Sequence, residues 1–220
     1  MSEQSGRPAT SGRFITFEGT EGGGKSTQIT LLAERLRAIG RGVRTLREPG
    51  GTPLGEEIRH TLKYGAHSKG MTVETELLLM NASRAQLVRE VIRPALKEGE
   101  IVLCDRFADS TIAYQGFGRE MGWDAVRPVI DLAVGETWPD LTLLLSLPVD
   151  LSEARRASRS ATVTSQLDRF EELDRSFFER VEKGFHAIAA ASPSRVRVID
   201  ATRSMEDVAT EIWQSVHPLL

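Results

Sequence analysis

Gly19-Thr20-Glu21-Gly22-Gly23-Gly24-Lys25-Ser26-Thr27 is the stretch whose reading decides the fold. It fits Gly-x-x-x-x-Gly-Lys-Ser/Thr, the loop in which bare backbone N–H groups cradle phosphate oxygens. Glycines remove the side chains that would block a polyphosphate and allow the positive φ values such a loop needs. Lys25 is placed to reach β- and γ-phosphates, and the Ser26 hydroxyl to ligate Mg²⁺. The flanks agree with the motif. Phe14 to Glu18 reads as a short strand, and Ile29, Leu31, Leu32, Leu36 and Ile39 recur at nearly helical spacing after it. A strand, a glycine-rich turn and a helix whose positive end faces an anion make one device. All nine residues from Gly19 to Thr27 are therefore candidate nucleotide-binding residues.

Working outward, the chain has 220 residues, enough for one domain with a sizeable core. It is 40% hydrophobic and 27% charged, with a net charge of −3, so no overall field draws it to nucleic acid or anionic lipid. Anion binding must come from local arginines and backbone groups. The one cysteine, Cys104, rules out an internal disulfide and a cysteine-rich metal site, and suits a reducing cytoplasm. No apolar run reaches the ~20 residues of a membrane span. Residues 1–12 are small and polar without an apolar signal core, and read as a flexible tail before a single domain at 13–220.

Strand and helix patterns alternate, which predicts an α/β fold with a parallel sheet between helical layers. Strands are expected at Arg13–Glu18, Val43–Arg47, Ile101–Cys104, Leu141–Leu147 and Val196–Ile199. Helices are expected at about Ser26–Ile39, Leu54–Leu62, Thr72–Lys97 with a bend near Pro94, and Met205–Val216. Another helix should follow Pro148, capped by Asp150 or Ser152. Ala157 to Gln166 is small and polar, with Arg155, Arg156 and Arg159 before or within it. Flexibility plus cations is the composition of a lid closing over phosphates, at about 155–168.

Four blocks taken in order carry a resemblance. They are Phe17 to Thr27; Arg47-Glu48-Pro49-Gly50-Gly51-Thr52-Pro53-Leu54-Gly55-Glu56-Glu57-Ile58-Arg59; Asp105-Arg106-Phe107 continuing to Ser110-Thr111-Ile112-Ala113-Tyr114-Gln115-Gly116; and Leu167-Asp168-Arg169-Phe170-Glu171. Together they make the chain resemble the bacterial thymidylate kinases over nearly all of Phe14 to Val216. The resemblance implies a P-loop NTPase-like three-layer α/β/α fold with a five-stranded parallel sheet and a short lid. It also implies phosphoryl transfer from ATP, with Mg²⁺, to dTMP, and a cytoplasmic homodimer.

The resemblance assigns roles that phosphoryl transfer makes sense of, because the reaction needs two substrates in line and charge neutralised on the moving group. Lys25 holds the ATP side, and Asp105, at a strand end, organises the metal with Ser26. Arg106 and Arg59 grip the acceptor phosphate, a task suited to the planar guanidinium fork. Met80 packs on the base and Arg84, one turn later, bonds its carbonyl. Thr111 and Gln115 meet the pyrimidine edge, Tyr114 lies by the sugar, and Glu21 contacts its 3′-hydroxyl. Glu48 either shapes the acceptor site or orders metal-bound water. Met80 and Asn81 depart from the phenylalanine and apolar residue common in relatives. Gly22 stands where some members carry an arginine, so the catalytic arginine is expected from the lid, with Arg159 the choice among Arg155, Arg156 and Arg159. The four histidines lack ligand spacing and are expected to play no catalytic part. A kinase of another nucleotide and a GTP-hydrolysing switch are the competing readings. The switch usually carries an Asn-Lys-x-Asp guanine reader, which this sequence lacks.

Overall fold

The fold is described from a computed structural model covering residues 12–162, 169–170 and 173–220. Five strands, β1 (Arg13–Glu18), β2 (Val43–Arg47), β3 (Ile101–Asp105), β4 (Leu141–Ser146) and β5 (Val196–Asp200), form one parallel sheet in the order β2-β3-β1-β4-β5. Parallel neighbours need crossovers, and helices supply them. The central strands are buried almost throughout, as a sheet covered on both faces requires. Alternate residues feed two cores. Phe14, Val102, Cys104 and Leu144 pack on one side, and Ile15, Phe17, Leu103, Leu143 and Leu145 on the other.

Helix α1 (Lys25–Ala38) covers the second core with Ile29, Leu32, Ala33 and Leu36. Ile39, read as part of its apolar stripe, instead lies past the helix end and is 53% exposed. Helix α2 (Pro53–Tyr64) starts at Thr52, whose hydroxyl accepts from Gly55 N–H. Helix α3 (Val73–Leu87) is capped by Thr72, as its sequence position suggests. The bend expected near Pro94 is a wider π turn at Val88–Ile92, followed by α4 (Arg93–Lys97). Pro94 has no N–H to give the preceding turn, and the π turn takes up the mismatch.

Between β3 and β4, where the sequence pattern gives no element, the chain forms α5 (Ala108–Thr111), a π turn at Ile112–Gly118, and α6 (Trp123–Val134). After Pro148, α7 (Val149–Thr162) begins earlier than expected, so neither Asp150 nor Ser152 caps it. Ser152 Oγ instead donates to Glu21 O at 2.6 Å. The first part of the expected lid is helical: α7 continues through Ala157 to Thr162, because Ala and Arg favour helix. Residues 163–168 of the expected lid lie outside the described residues. Helices α8 (Arg175–Ala191) and α9 (Met205–Val216) complete the two layers. Of the expected tail, residues 1–11 lie outside the described residues. Gly12 is anchored, not mobile: its N–H donates to Leu96 O at 3.1 Å, and a Cβ there would stand 2.3 Å from Glu100 O.

Candidate active site

The carboxyl ends of β1 and β3 lie side by side, with Phe17 opposite Asp105 in register. β2 and β3 lie to one side of β1 and β4 and β5 to the other, so this is the crevice where open α/β sheets bind ligands. The chain leaves β1 at Gly19, whose φ of 124° and whose approach to Leu145 O (2.3 Å from an ideal Cβ) admit glycine alone. Gly24, at φ 83°, turns the loop into α1. Lys25 is buried, and its Nζ donates to Gly19 O (3.1 Å) and Thr20 O (2.9 Å). Burial, and then the Arg106 charge, pull its pKa down to about 8. Ser26 Oγ donates to Asp105 Oδ2 at 3.0 Å. A hydroxyl and a carboxylate at that spacing, open on one side, suit Mg²⁺, which keeps waters and takes phosphate oxygens beside one or two protein ligands.

Arg106 follows β3 in a left-handed conformation at φ 70°. Its N–H donates to Phe17 O (2.9 Å), and its Nη1 donates to Gly19 O (3.1 Å) and Ser110 Oγ (3.3 Å). The guanidinium lies over the Tyr114 ring, 5.0 Å from its centroid. Glu18, fully buried behind it, accepts from Phe107 N–H (2.7 Å) and Ser110 N–H (3.2 Å) and so holds the start of α5. Burial, then the Asp109 charge, raise the Glu18 pKa to about 8.

Arg84 is 2% exposed. Its Nε and Nη2 meet Glu48 Oε2 (2.8 and 2.7 Å). Nη1 donates to Asn81 Oδ1 and Thr111 Oγ1 (2.8 Å each), and Nη2 also donates to Phe107 O (2.9 Å). Every N–H of this guanidinium thus faces a protein acceptor. Asn81, a departure in the sequence, has a physical reason: it occupies one of those donors. Glu48 keeps Oε1 buried without a partner. Burial raises its pKa, against the lowering effect of Arg84.

One cavity of about 680 Å³ joins these groups. Its lining includes Glu21, Gly22, Gly24, Lys25, Ser26 and Thr27 of the phosphate loop, and Glu48, Arg59, Met80, Arg84, Asp105, Arg106, Thr111, Tyr114 and Gln115. Gly19, Thr20 and Gly23 shape the loop from behind. Arg59 Nη1 donates to Pro49 O at 3.0 Å. None of the four histidines lines the cavity.

The three lid arginines separate. Arg155 lines the cavity and donates from Nη1 to Gly22 O (3.0 Å) and from Nη2 to Ala201 O (3.2 Å). Arg156 turns away, its guanidinium 4.2 Å from the Phe178 ring centroid. The side chain of Arg159 lies outside the described residues. Sequence reasoning missed Arg47, Pro49, Lys63, Tyr64, Ser110 and Phe170 as wall residues. Arg47, Pro49, Ser110 and Phe170 stood inside the blocks that carry the resemblance and had a usable signal.

The thymidylate kinase family profile matches residues 17–212. The chain belongs to the thymidylate kinase family. It is 49% identical to a thymidylate kinase of Thermomicrobium roseum over 203 residues, covering 92% of this chain and 93% of that one. It is 48% identical to the Deinococcus radiodurans thymidylate kinase over 207 residues, covering 93% and 96%. The crystal structure of the Ehrlichia chaffeensis thymidylate kinase superposes with a TM-score of 0.75 at 34% identity, covering 94% of this chain and 99% of that one. Family membership agrees with the cavity, whose lining joins the phosphate loop to Arg106 and to Arg84, Thr111, Tyr114 and Gln115.

Proposed function

We propose that this thymidylate kinase family member transfers the γ-phosphoryl group of ATP to dTMP, giving dTDP and ADP. The observation that carries the reading is the single cavity running from Lys25 and Ser26, past Arg106, to Arg84, Thr111, Tyr114 and Gln115. Phosphoryl transfer asks a protein for position and charge more than for covalent chemistry. The loop N–H groups and Lys25 hold the donor phosphates. Arg106, braced on Gly19 O and Ser110, stands between the two halves and neutralises charge on the moving group and the acceptor phosphate. Arg59 backs it from α2. Ser26 and Asp105 would hold Mg²⁺, which would supply positive charge to offset that of the phosphates. Arg155, seated on the phosphate loop, is the lid cation whose described position serves the donor; Arg159 stays a candidate.

On the acceptor side, Met80 lays a polarizable sulfur chain against the base. Thr111, Gln115 and Arg84 face its polar edge, with Arg84 exchanging a protein acceptor for the base carbonyl. Tyr114 and Glu21 bracket the sugar, and Glu48 Oε1 remains to take an ordered water. The protein acts in the cytoplasm as a homodimer through the α3–α6 layer. There Leu78 and Leu132 stand 59% and 78% exposed.

The test is an ADP-release assay with ATP and Mg²⁺, comparing dTMP, dUMP, UMP and dCMP. Fast turnover with dTMP, slower with dUMP and negligible with UMP is expected. Preference for another acceptor would keep the kinase chemistry and overturn the base pocket. ATP hydrolysis independent of every acceptor would overturn the transferase reading.

A further inference from the structure

Glu76, in the first turn of α3, is the most heavily engaged buried acid among the described residues, and no step above uses it. Its side chain is 1% exposed. Oε1 accepts from Gln115 Nε2 (2.8 Å) and Arg119 Nε (3.3 Å); Oε2 accepts from Arg119 Nη2 (2.9 Å) and from Arg169 Nη2. Two guanidiniums donate to this one carboxylate beside Gln115, so each of the partners just named is a donor. An ionised carboxylate can only accept hydrogen bonds. Gln115, itself buried, therefore has one allowed amide orientation: its –NH₂ faces Glu76 and its carbonyl Oε1 faces away from it. Because Gln115 lines the cavity, the group offered to a ligand is an acceptor.

We propose that Glu76 is a positioning residue for base selection: by fixing the Gln115 amide, it presents an acceptor to the N3–H of thymine or uracil. Cytosine has a lone pair at N3, so it meets Oε1 acceptor to acceptor and is rejected. Arg119 and Arg169 do not touch the base in this scheme; they hold the carboxylate of Glu76. The inference rests on the dTMP reading of the cavity.

The experiment compares kcat/KM for dTMP and dCMP in the wild type, Glu76→Gln and Arg119→Met. Glu76→Gln can donate as well as accept, so it releases the Gln115 amide. The dTMP-over-dCMP ratio is expected to fall at least about tenfold, through a higher KM for dTMP, while KM for ATP stays put. Arg119→Met leaves Arg169 on the carboxylate and should lower thermal stability without moving the ratio. Should Glu76→Gln fail to fold, Glu76→Asp keeps the charge but withdraws the carboxylate from Gln115 by a methylene, and must show the same direction of change. A ratio unchanged in whichever of these variants folds overturns the positioning role. A wild type without preference for dTMP fails the underlying reading instead, and the two failures are thereby told apart.

Discussion

Lys25 and Arg106 show how one crevice brings cations together before any phosphate arrives. Arg106 holds a left-handed backbone that costs a non-glycine residue about 1–3 kcal/mol, and its contacts to Phe17 O, Gly19 O and Ser110 keep it there. That backbone turn sends the guanidinium over Tyr114 and toward Lys25, whose pKa burial and Arg106 lower to about 8 from 10.5. Between those values the folded chain binds fewer protons at Lys25 than the unfolded chain, so this group makes stability rise with pH across that window. A polyphosphate reverses the balance by giving the ammonium a partner, and its pKa climbs. ATP binding at pH 8.5 should therefore take up a fraction of a proton. Calorimetry in two buffers of different ionisation enthalpy reads it as a buffer-dependent heat, expected to vanish in Lys25→Met. A buffer-independent heat in the wild type would contradict the account.

At the scale of elements, the end of β1 governs the start of α5 through Glu18. Its Oε1 accepts from Phe107 and Ser110 N–H, and its Oε2 accepts from Ser110 Oγ at 2.5 Å, yet burial and the Asp109 charge outweigh these bonds and favour the neutral form. The unfolded carboxyl titrates near 4.5 and the buried one near 8, so the folded state holds an extra proton between them. Stability from this group is full below pH 4.5 and is lost as pH rises to 8. Glu18→Gln keeps the neutral contacts and should flatten the fall of Tm between pH 5 and 8, measured by thermal melts across that range. An unchanged slope would sink the assignment. The strands around this corner were legible in the sequence to within a residue, because apolar runs bounded by Gly and Pro have few other readings. The region from Ala108 to Gly118 was not, because it is buried almost all round and shows no polar face to set a period. The extension of α7 through Ala157 was misread because small residues with arginines suit a surface loop and a helix equally. Most residues that line the cavity stand in the four blocks that carry the family resemblance. Their partners were not legible: nothing in the local sequence says that Asn81 would hold Arg84, or that Glu76 would meet Gln115 from another helix.

For the whole molecule, the question is what covers the outer layer. Helices α3 and α6 pack together, with Arg89 of the segment after α3 donating to Leu132 O and Ala133 O at the end of α6. Yet Leu78 and Leu132 leave most of their side chains in water. Single exposed leucines are ordinary on a protein surface. The α3–α6 layer also carries Met80, Arg84 and Glu76, so a second copy seated there would stiffen a helix that lines the cavity. Leu132→Asp separates the cases. On a free surface it should change stability by no more than about 0.5 kcal/mol. In a homodimer core it buries an unpaired charge, and the dissociation constant should rise at least about a hundredfold, roughly 2.7 kcal/mol. Light scattering coupled to gel filtration over a dilution series reads the difference. A wild-type dimer that becomes a folded monomer on Leu132→Asp is the expected result, and its KM for dTMP should rise if the partner stiffens α3. A dimer that survives the substitution would place the interface elsewhere. A wild type that stays monomeric at every concentration would leave α3 braced from within its own chain, by its packing on α2 and α6 and by the bonds of Glu76, Asn81 and Arg84.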